Sequence, residues 1–219
     1  MIIVMARKIQ PELTKANILA VSEKLFIEKG YEKTTTQEIV DLTGLSKGTI
    51  FHHFKSKEAI LVGVLEMHID NAAVEVGKWL ASMEGLTARE KLILFLDDPE
   101  TTPEEERETL LFKMAVATQS PQIIVAEMKK AHEKIAPIIA SLIREGIKDG
   151  SITTDFPDEC AQILMLLYTI WIDPLTFACE LGVLKKRLLF IQHTMKAIGV
   201  DIISDQFIAG SLEFAESMI

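Results

Sequence analysis

The sequence predicts an all-α protein, and three observations carry that prediction. Apolar residues recur at steps of three and four through most of the 219 residues, the spacing of a buried helix face. Residues that start and stop helices bracket those periods, with Ser, Thr or Pro ahead and Gly behind. No stretch of useful length alternates with the two-residue period of a strand. The expected architecture is a small three-helix N-terminal domain over residues 1–56, followed by an all-α helical bundle over residues 57–219.

Residues 1–10, which include Arg7 and Lys8, carry no clear pattern and are expected to form a loose arm. From Pro11 to Lys29, Ile18, Val21, Leu25 and Phe26 recur at helical spacing. Pro11 suits a first turn, where its missing N–H is not needed, and Gly30 ends the helix. Tyr31 is expected to pack into the same core. Thr35 and Glu38 have the capping-box spacing, in which each side chain satisfies an orphan N–H of the other's backbone. Ile39 and Leu42 are expected to face one way. Gly44 can end this helix in the left-handed region without a Cβ penalty. Leu45 plugs the turn, and Ser46 caps a second short helix whose first turn is Lys47, Gly48 and Thr49. Ile50 and Phe54 return to the core, which leaves Ser46, Lys47, Thr49, His52 and His53 on the polar face. This is the layout of a helix-turn-helix. One helix lies across the phosphates and the next puts its N-terminal residues into the major groove.

From Leu13 to Leu61 the chain resembles the DNA-binding domain of the TetR family of transcriptional regulators. The matching residues are Ile18-Leu19, Leu25-Phe26, Gly30-Tyr31, Thr34-Thr35, Ile39, Gly44-Leu45-Ser46, Gly48-Thr49-Ile50-Phe51, Phe54 and Ser56-Lys57-Glu58, in unbroken register. Phe51 departs from the pattern, standing where the family usually has a tyrosine that hydrogen-bonds a phosphate. His53 stands where tyrosine or histidine is common, Thr36 where an apolar residue is frequent, and Val40 where alanine is frequent. The expected phosphate-facing set is Thr35, Thr36, Phe51, His53 and Lys57. Thr35 can offer its hydroxyl or N–H, Lys57 its charge in the first turn of the next helix, and Phe51 only packing against a sugar or a thymine methyl. Gln37, Ser46, Lys47, Gly48, Thr49 and His52 are the base-edge candidates. Lys47 suits guanine O6/N7, Gln37 suits adenine, and Gly48 lets the backbone approach closely.

Downstream, Ser56 caps a long helix to about Met83. Its apolar stripe comprises Ile60, Leu61, Val64, Leu65, His68, Ala72, Val76 and Leu80. Glu84-Gly85 is a break, Thr87 to Leu96 a short amphipathic helix, and residues 97–103 a loop with two prolines. Pro103 and three glutamates open a helix to about Thr118, an acidic first turn that the helix dipole favours. Ser120-Pro121 starts the next, to about Lys148, with Ile124, Met128, Ala131, Ile135, Ile138 and Leu142 near a heptad spacing. Gly150 ends it. Two more helices, Pro157 to Leu181 and Leu184 to Ile198, precede a final one from Ser204 to Glu216. The middle of the first is nearly apolar all round and must be covered on more than one side. Pro137 and Pro174 fall within expected helices and should kink them.

Pro174 follows Asp173, close to Tyr168 and Trp171. One reading is a ligand pocket with aromatic walls and a carboxylate for a cationic or hydrogen-bonding ligand. The other is an aspartate that reaches solvent or a neighbouring helix end beside ordinary core aromatics. His132 either lines the same pocket or lies at the surface.

The net charge of −9 is unevenly spread. Residues 1–58 carry nine basic and seven acidic side chains, a balance of +2, and residues 59–219 carry fourteen and twenty-five, a balance of −11. The basic balance lies with the helix-turn-helix, as phosphate contact needs. Cys160 and Cys179 have neither a zinc spacing nor a disulfide framework, and two reduced thiols are the expectation. The apolar start and the run from Ile163 to Ile172 are both too short to span a bilayer, so a cytoplasmic protein with no membrane partner is expected. There is no Gly-rich phosphate loop, HExxH or Cys/His cluster, and His52 and His53 point about a hundred degrees apart on a helix. No enzyme activity, cofactor or metal is expected.

The resemblance implies a transcriptional regulator of the repressor type. It would bind double-stranded DNA at a palindromic operator as a homodimer, and an unidentified small-molecule effector would release it. By resemblance, helices 157–181 and 184–198 pair with their two-fold mates in a four-helix bundle. Their apolar surplus points the same way, since a monomer would expose it. By resemblance too, the helix beginning at Lys57 swings when ligand enters the C-terminal domain, and the half-site spacing is lost. Two other classes stay open: a helical ligand carrier, and a factor controlled by a protein partner, each with a vestigial DNA-reading head.

Overall fold

The computed structural model describes residues 2–97, 110–111, 113–115, 118, 120–173, 177 and 179–217. These residues are helical with no strand among them. We number the helices α1 (Ile2–Lys29), α2 (Thr36–Thr43), α3 (Lys47–His53), α4 (Lys57–Ser82), α5 (Ala88–Asp97), α6 (Pro121–Asp149), α7 (Pro157–Leu166), α8 (Leu181–Ala197) and α9 (Asp205–Ser217). A π-helical turn, Leu167–Trp171, continues α7. The chain folds as two compact units, residues 1–68 with 102–127 and residues 69–101 with 128–219.

The first unit is built on α1, α2, α3 and the start of α4. Ile18, Leu19, Leu25 and Phe26 from α1 meet Ile39, Ile50, Phe54, Ile60, Leu61, Val64 and Leu65 in one apolar core. Leu111, Ala115 and Ile123 join that core from farther along the chain. Tyr31 packs edge-on against Phe26, ring centroids 5.4 Å apart. Two expectations need correction. The arm is helical: α1 begins at Ile2, because Ile2 to Gln10 contain no glycine or proline to stop it. Leu42 does not share the buried side of Ile39. It is exposed, and the inward face of α2 runs through Ile39, Val40 and Thr43 instead.

The second unit buries Leu80, Leu92, Ile139, Ile143, Leu164, Leu188, Ile191, Met195 and Phe207 in its own core. The inward stripe of α6 is Ala136, Ile139, Ala140 and Ile143, steps of three and four; the expected Leu142 is buried beside it, while the expected Ile135 and Ile138 flank it half-buried. α6 runs unbroken through Pro137. The expected helix from Pro157 to Leu181 is shorter. Regular α-structure stops at Leu166 and gives way to the π-turn, where the Ile172 N–H donates to the Leu167 carbonyl at 3.0 Å. Asp173 precedes a proline, and such a residue avoids the helical region. Pro174, residues 98–103 and the acidic start of the helix at Pro103 lie outside the described residues. No helix among the described residues is long and apolar enough to cross a membrane.

Candidate nucleic-acid interface

Local chemistry sets the helix-turn-helix. Thr35 has an extended backbone, its Oγ1 accepts the Glu38 N–H at 3.3 Å, and the Glu38 carboxylate accepts the Thr35 N–H at 2.9 Å. Lys29 pairs with the same carboxylate. The Lys29 ammonium first, then the Thr35 N–H and hydroxyl, pull the Glu38 carboxyl down to about 2. Gly44 takes φ +67° at the turn, and its N–H donates to the Val40 carbonyl. Ser46 then caps α3, its Oγ accepting the Thr49 N–H at 3.0 Å. Behind α3, Ile50 and Phe54 are buried.

The other side of α3 is open. Ser46, Lys47, Gly48, Phe51 and His52 are all exposed, with Thr49 and His53 half-buried beside them. The Ser46 and Thr49 hydroxyls lie 2.8 Å apart and share a hydrogen bond. The Lys47 ammonium sits 5.7 Å from the centre of the Phe51 ring, one turn along. The His52 and His53 rings meet edge to face at 5.5 Å. A Cβ placed on Gly48 would meet only the Ser46 Oγ at 3.7 Å, so no contact within the described residues requires a glycine there. A glycine inside a helix costs about 0.5–1 kcal/mol relative to alanine. Its use here fits close approach by something outside the chain.

On α2, Gln37 is exposed and its Nε2 donates to Asp41 at 2.8 Å. Thr36 is half-buried. Thr35 has its N–H and hydroxyl both committed to Glu38. The Lys57 ammonium lies among the carbonyls of the α1–α2 loop. Nothing in the spacing announces that clamp or the Lys29–Glu38 pair, since both join positions whose neighbourhood only the fold decides.

The four pocket candidates do not converge. His132 lines a groove of about 380 Å³ with Ala136, Pro137, Arg144, Asp158 and Gln162, in the second unit. A second groove of about 360 Å³ is lined by Gly77, Leu80, Pro137, Ile138, Ser141 and Leu142. Tyr168, Trp171 and Asp173 line neither. Tyr168 is exposed, its ring 6.3 Å from Phe207. Trp171 is covered by Phe190 and by the Arg187 guanidinium, which also donates to the Trp171 carbonyl at 2.7 Å.

The family model for bacterial regulatory proteins of the tetR family matches residues 18–64, the span of this helix-turn-helix and its supports. The transcriptional repressor KstR2 of Rhodococcus jostii is 26% identical over 163 residues, which is 72% of this chain and 76% of the relative. The regulator QacR of Staphylococcus aureus is 38% identical over 86 residues, 37% of this chain and 42% of its own. Among solved structures, a TetR-family regulator from Syntrophomonas wolfei matches with a TM-score of 0.56 and 22% identity, over 94% of this chain and 95% of that one. A capped helix-turn-helix, this register and these relatives agree: residues 18–64 match the DNA-binding domain of the tetR family of bacterial regulatory proteins, and the chain as a whole is similar to transcriptional regulators of that family.

Proposed function

We propose that the protein is a repressor that binds a palindromic operator as a homodimer and leaves it when a small molecule occupies the helical domain. One observation carries the DNA-reading part. The exposed side of α3 presents Ser46, Lys47, Gly48 and His52 together, while its other side is fixed by Ile50 and Phe54. Residues 1–56 are the reading head and residues 57–219 the sensing and dimerising domain. Lys47 reads guanine, Gln37 reads adenine, and Phe51 packs against a sugar or a thymine methyl. Two reading helices related by a two-fold axis engage half-sites about one turn of DNA apart.

Exposed apolar side chains support the dimer. Ile163, Leu166 and Tyr168 on α7 and its π-turn, and Val183 and Phe190 on α8, all reach solvent in the single chain. A two-fold partner laying the same surface against them would cover both copies at once. For release, the effector must bind the DNA-free form more tightly than the DNA-competent form, and only that difference shifts the equilibrium. The groove that includes His132 is the first place to look for it.

The test is a footprint of the purified protein on DNA upstream of its own gene, at two salt concentrations. A protected palindrome whose affinity falls steeply with salt is expected. The reading fails if the folded protein protects no site at either salt.

A further inference from the structure

Lys57 is the first residue of α4, where the positive end of the helix dipole disfavours a cation. Its side chain turns to the loop between α1 and α2. The ammonium donates to the carbonyls of Tyr31 at 2.7 Å, Thr34 at 3.0 Å and Glu32 at 3.4 Å. It also sits 4.2 Å from the centre of the Tyr31 ring. An ammonium has three donors, and three carbonyls converge on this one. They follow the C-terminal end of α1, where unpaired carbonyls and the negative end of the dipole favour a cation. The loop is consequential. Thr34 is buried, with its hydroxyl donating to the Gly30 carbonyl at 2.9 Å and the Leu25 carbonyl at 3.3 Å. The next residue, Thr35, is the cap of α2.

We infer that Lys57 is a positioning residue, whose ammonium clamps the Tyr31–Thr34 loop to the first turn of α4 and so sets where α2 begins, rather than lending its charge to a DNA phosphate. All three donors already have carbonyl partners, and reaching a phosphate would leave those carbonyls unpaired. Only the consequence for binding rests on the DNA-reading function; the clamp belongs to the free protein.

The test compares the parent with Lys57→Met, which keeps the stem and removes the charge, and with Lys57→Arg, which keeps the charge. Arginine's planar fork is poorly shaped for three converging carbonyls but serves a phosphate well. Amide exchange is followed on free protein. In Lys57→Met the Thr34, Glu38 and Ile39 amides should exchange roughly tenfold faster, with Phe26 and Leu61 unchanged. Binding is then measured on a fluorescein-labelled duplex of mixed sequence across a salt series. Lys57→Met should bind more weakly with the parent's slope of log affinity against log salt. Loss of a phosphate contact would instead flatten that slope by about 0.9.

A flattened slope with unchanged exchange overturns the inference. If Lys57→Met also loses protection at Phe26 and Leu61, Lys57→Arg decides. Faster exchange at Thr34 and Glu38 with weaker binding supports the clamp, and parental exchange with parental affinity overturns it. A parent that binds the duplex at no salt concentration would remove the DNA reading itself and leave the exchange data to judge the clamp.

Discussion

Helices α2 and α5 begin with the same four-residue device, one in each compact unit, and differ in what completes it. At α2, Thr35 and Glu38 exchange hydrogen bonds and Lys29 holds the carboxylate, so the cap is made by residues close in sequence. At α5, Thr87 and Glu90 make the same box: the Glu90 carboxylate accepts the Thr87 N–H at 2.8 Å and the Thr87 hydroxyl accepts the Glu90 N–H at 3.3 Å. The donors between them are taken by the far end of α6. Asp149 accepts the Ala88 N–H at 2.9 Å, and the Ser151 hydroxyl accepts that of Arg89 at 3.3 Å. The cap of α2 is completed within nine positions of chain, and that of α5 by partners 61 and 62 residues away, which meet it only once the second unit has folded.

Two left-handed glycines sharpen that contrast and give the largest expected effects. Gly44 has φ +67° and open space where a Cβ would go; Gly199 has φ +81°, and a Cβ there would lie 2.9 Å from the Thr153 carbonyl carbon. Gly44→Ala should cost only the conformational penalty, about 1–2 kcal/mol. Gly199→Ala adds a backbone clash to the same penalty and should cost about 2–5 kcal/mol. The clash also threatens the Thr153 N–H bond to the Gly199 carbonyl, 3.1 Å long. Urea unfolding of both variants checks this, and equal losses would break the comparison.

The same divide explains what could be read in the sequence. Caps at Thr35 and Ser46 and turns at Gly44 and Gly150 depend on neighbours a few residues away, and they stand where spacing puts them. The inward stripe of α6 does not: Ile135 and Ala136 are both apolar, and only the packing of the second unit chooses Ala136. The π-turn after α7 is equally hidden, because an apolar run has the same pattern whether its hydrogen bonds span four residues or five. At the candidate interface, the exposed set on α3 follows from Ile50 and Phe54 turning inward. Lys57 escapes, since a lysine in a first turn suggests a free charge and only the folded loop supplies its carbonyls.

Next in size are effects on DNA binding alone, which separate the open face of α3 from the core behind it. Lys47 is exposed, with its ammonium over the Phe51 ring, so Lys47→Ala should leave stability within about 0.5 kcal/mol. Its discrimination between operator and mixed-sequence DNA should fall by about 1–3 kcal/mol. Paired titrations at fixed salt measure both. Gly48→Ala should act oppositely on the two properties. Helix propensity predicts a gain of about 0.5–1 kcal/mol in stability, while the added methyl group holds the backbone off the groove and weakens operator binding. A variant that is both more stable and equally tight would show that Gly48 serves no close approach.

The smallest effects come from acid and compare the two caps directly. The Glu38 carboxyl falls from 4.5 to about 2 in the folded protein, so the bonds it makes favour folding above the ordinary carboxylate range. That contribution should be complete above pH 4.5 and fade as pH drops toward about 2, because the unfolded chain then binds the proton first. Asp149 is also lowered from 3.8, first by the Ala88 N–H and then by Ser151, so the remote cap of α5 should weaken in the same direction at lower pH. Asp149 is exposed and Glu38 half-buried at the surface, and salt and solvent keep each contribution small. Amide exchange at Glu38 and Ala88, followed as pH falls, separates them. Glu38→Gln should flatten the acid response at α2 and leave that at Ala88 intact, and Asp149→Asn should do the reverse. If either substitution changed both helix starts, the two caps would be coupled, and the local character of the α2 cap would have to be given up.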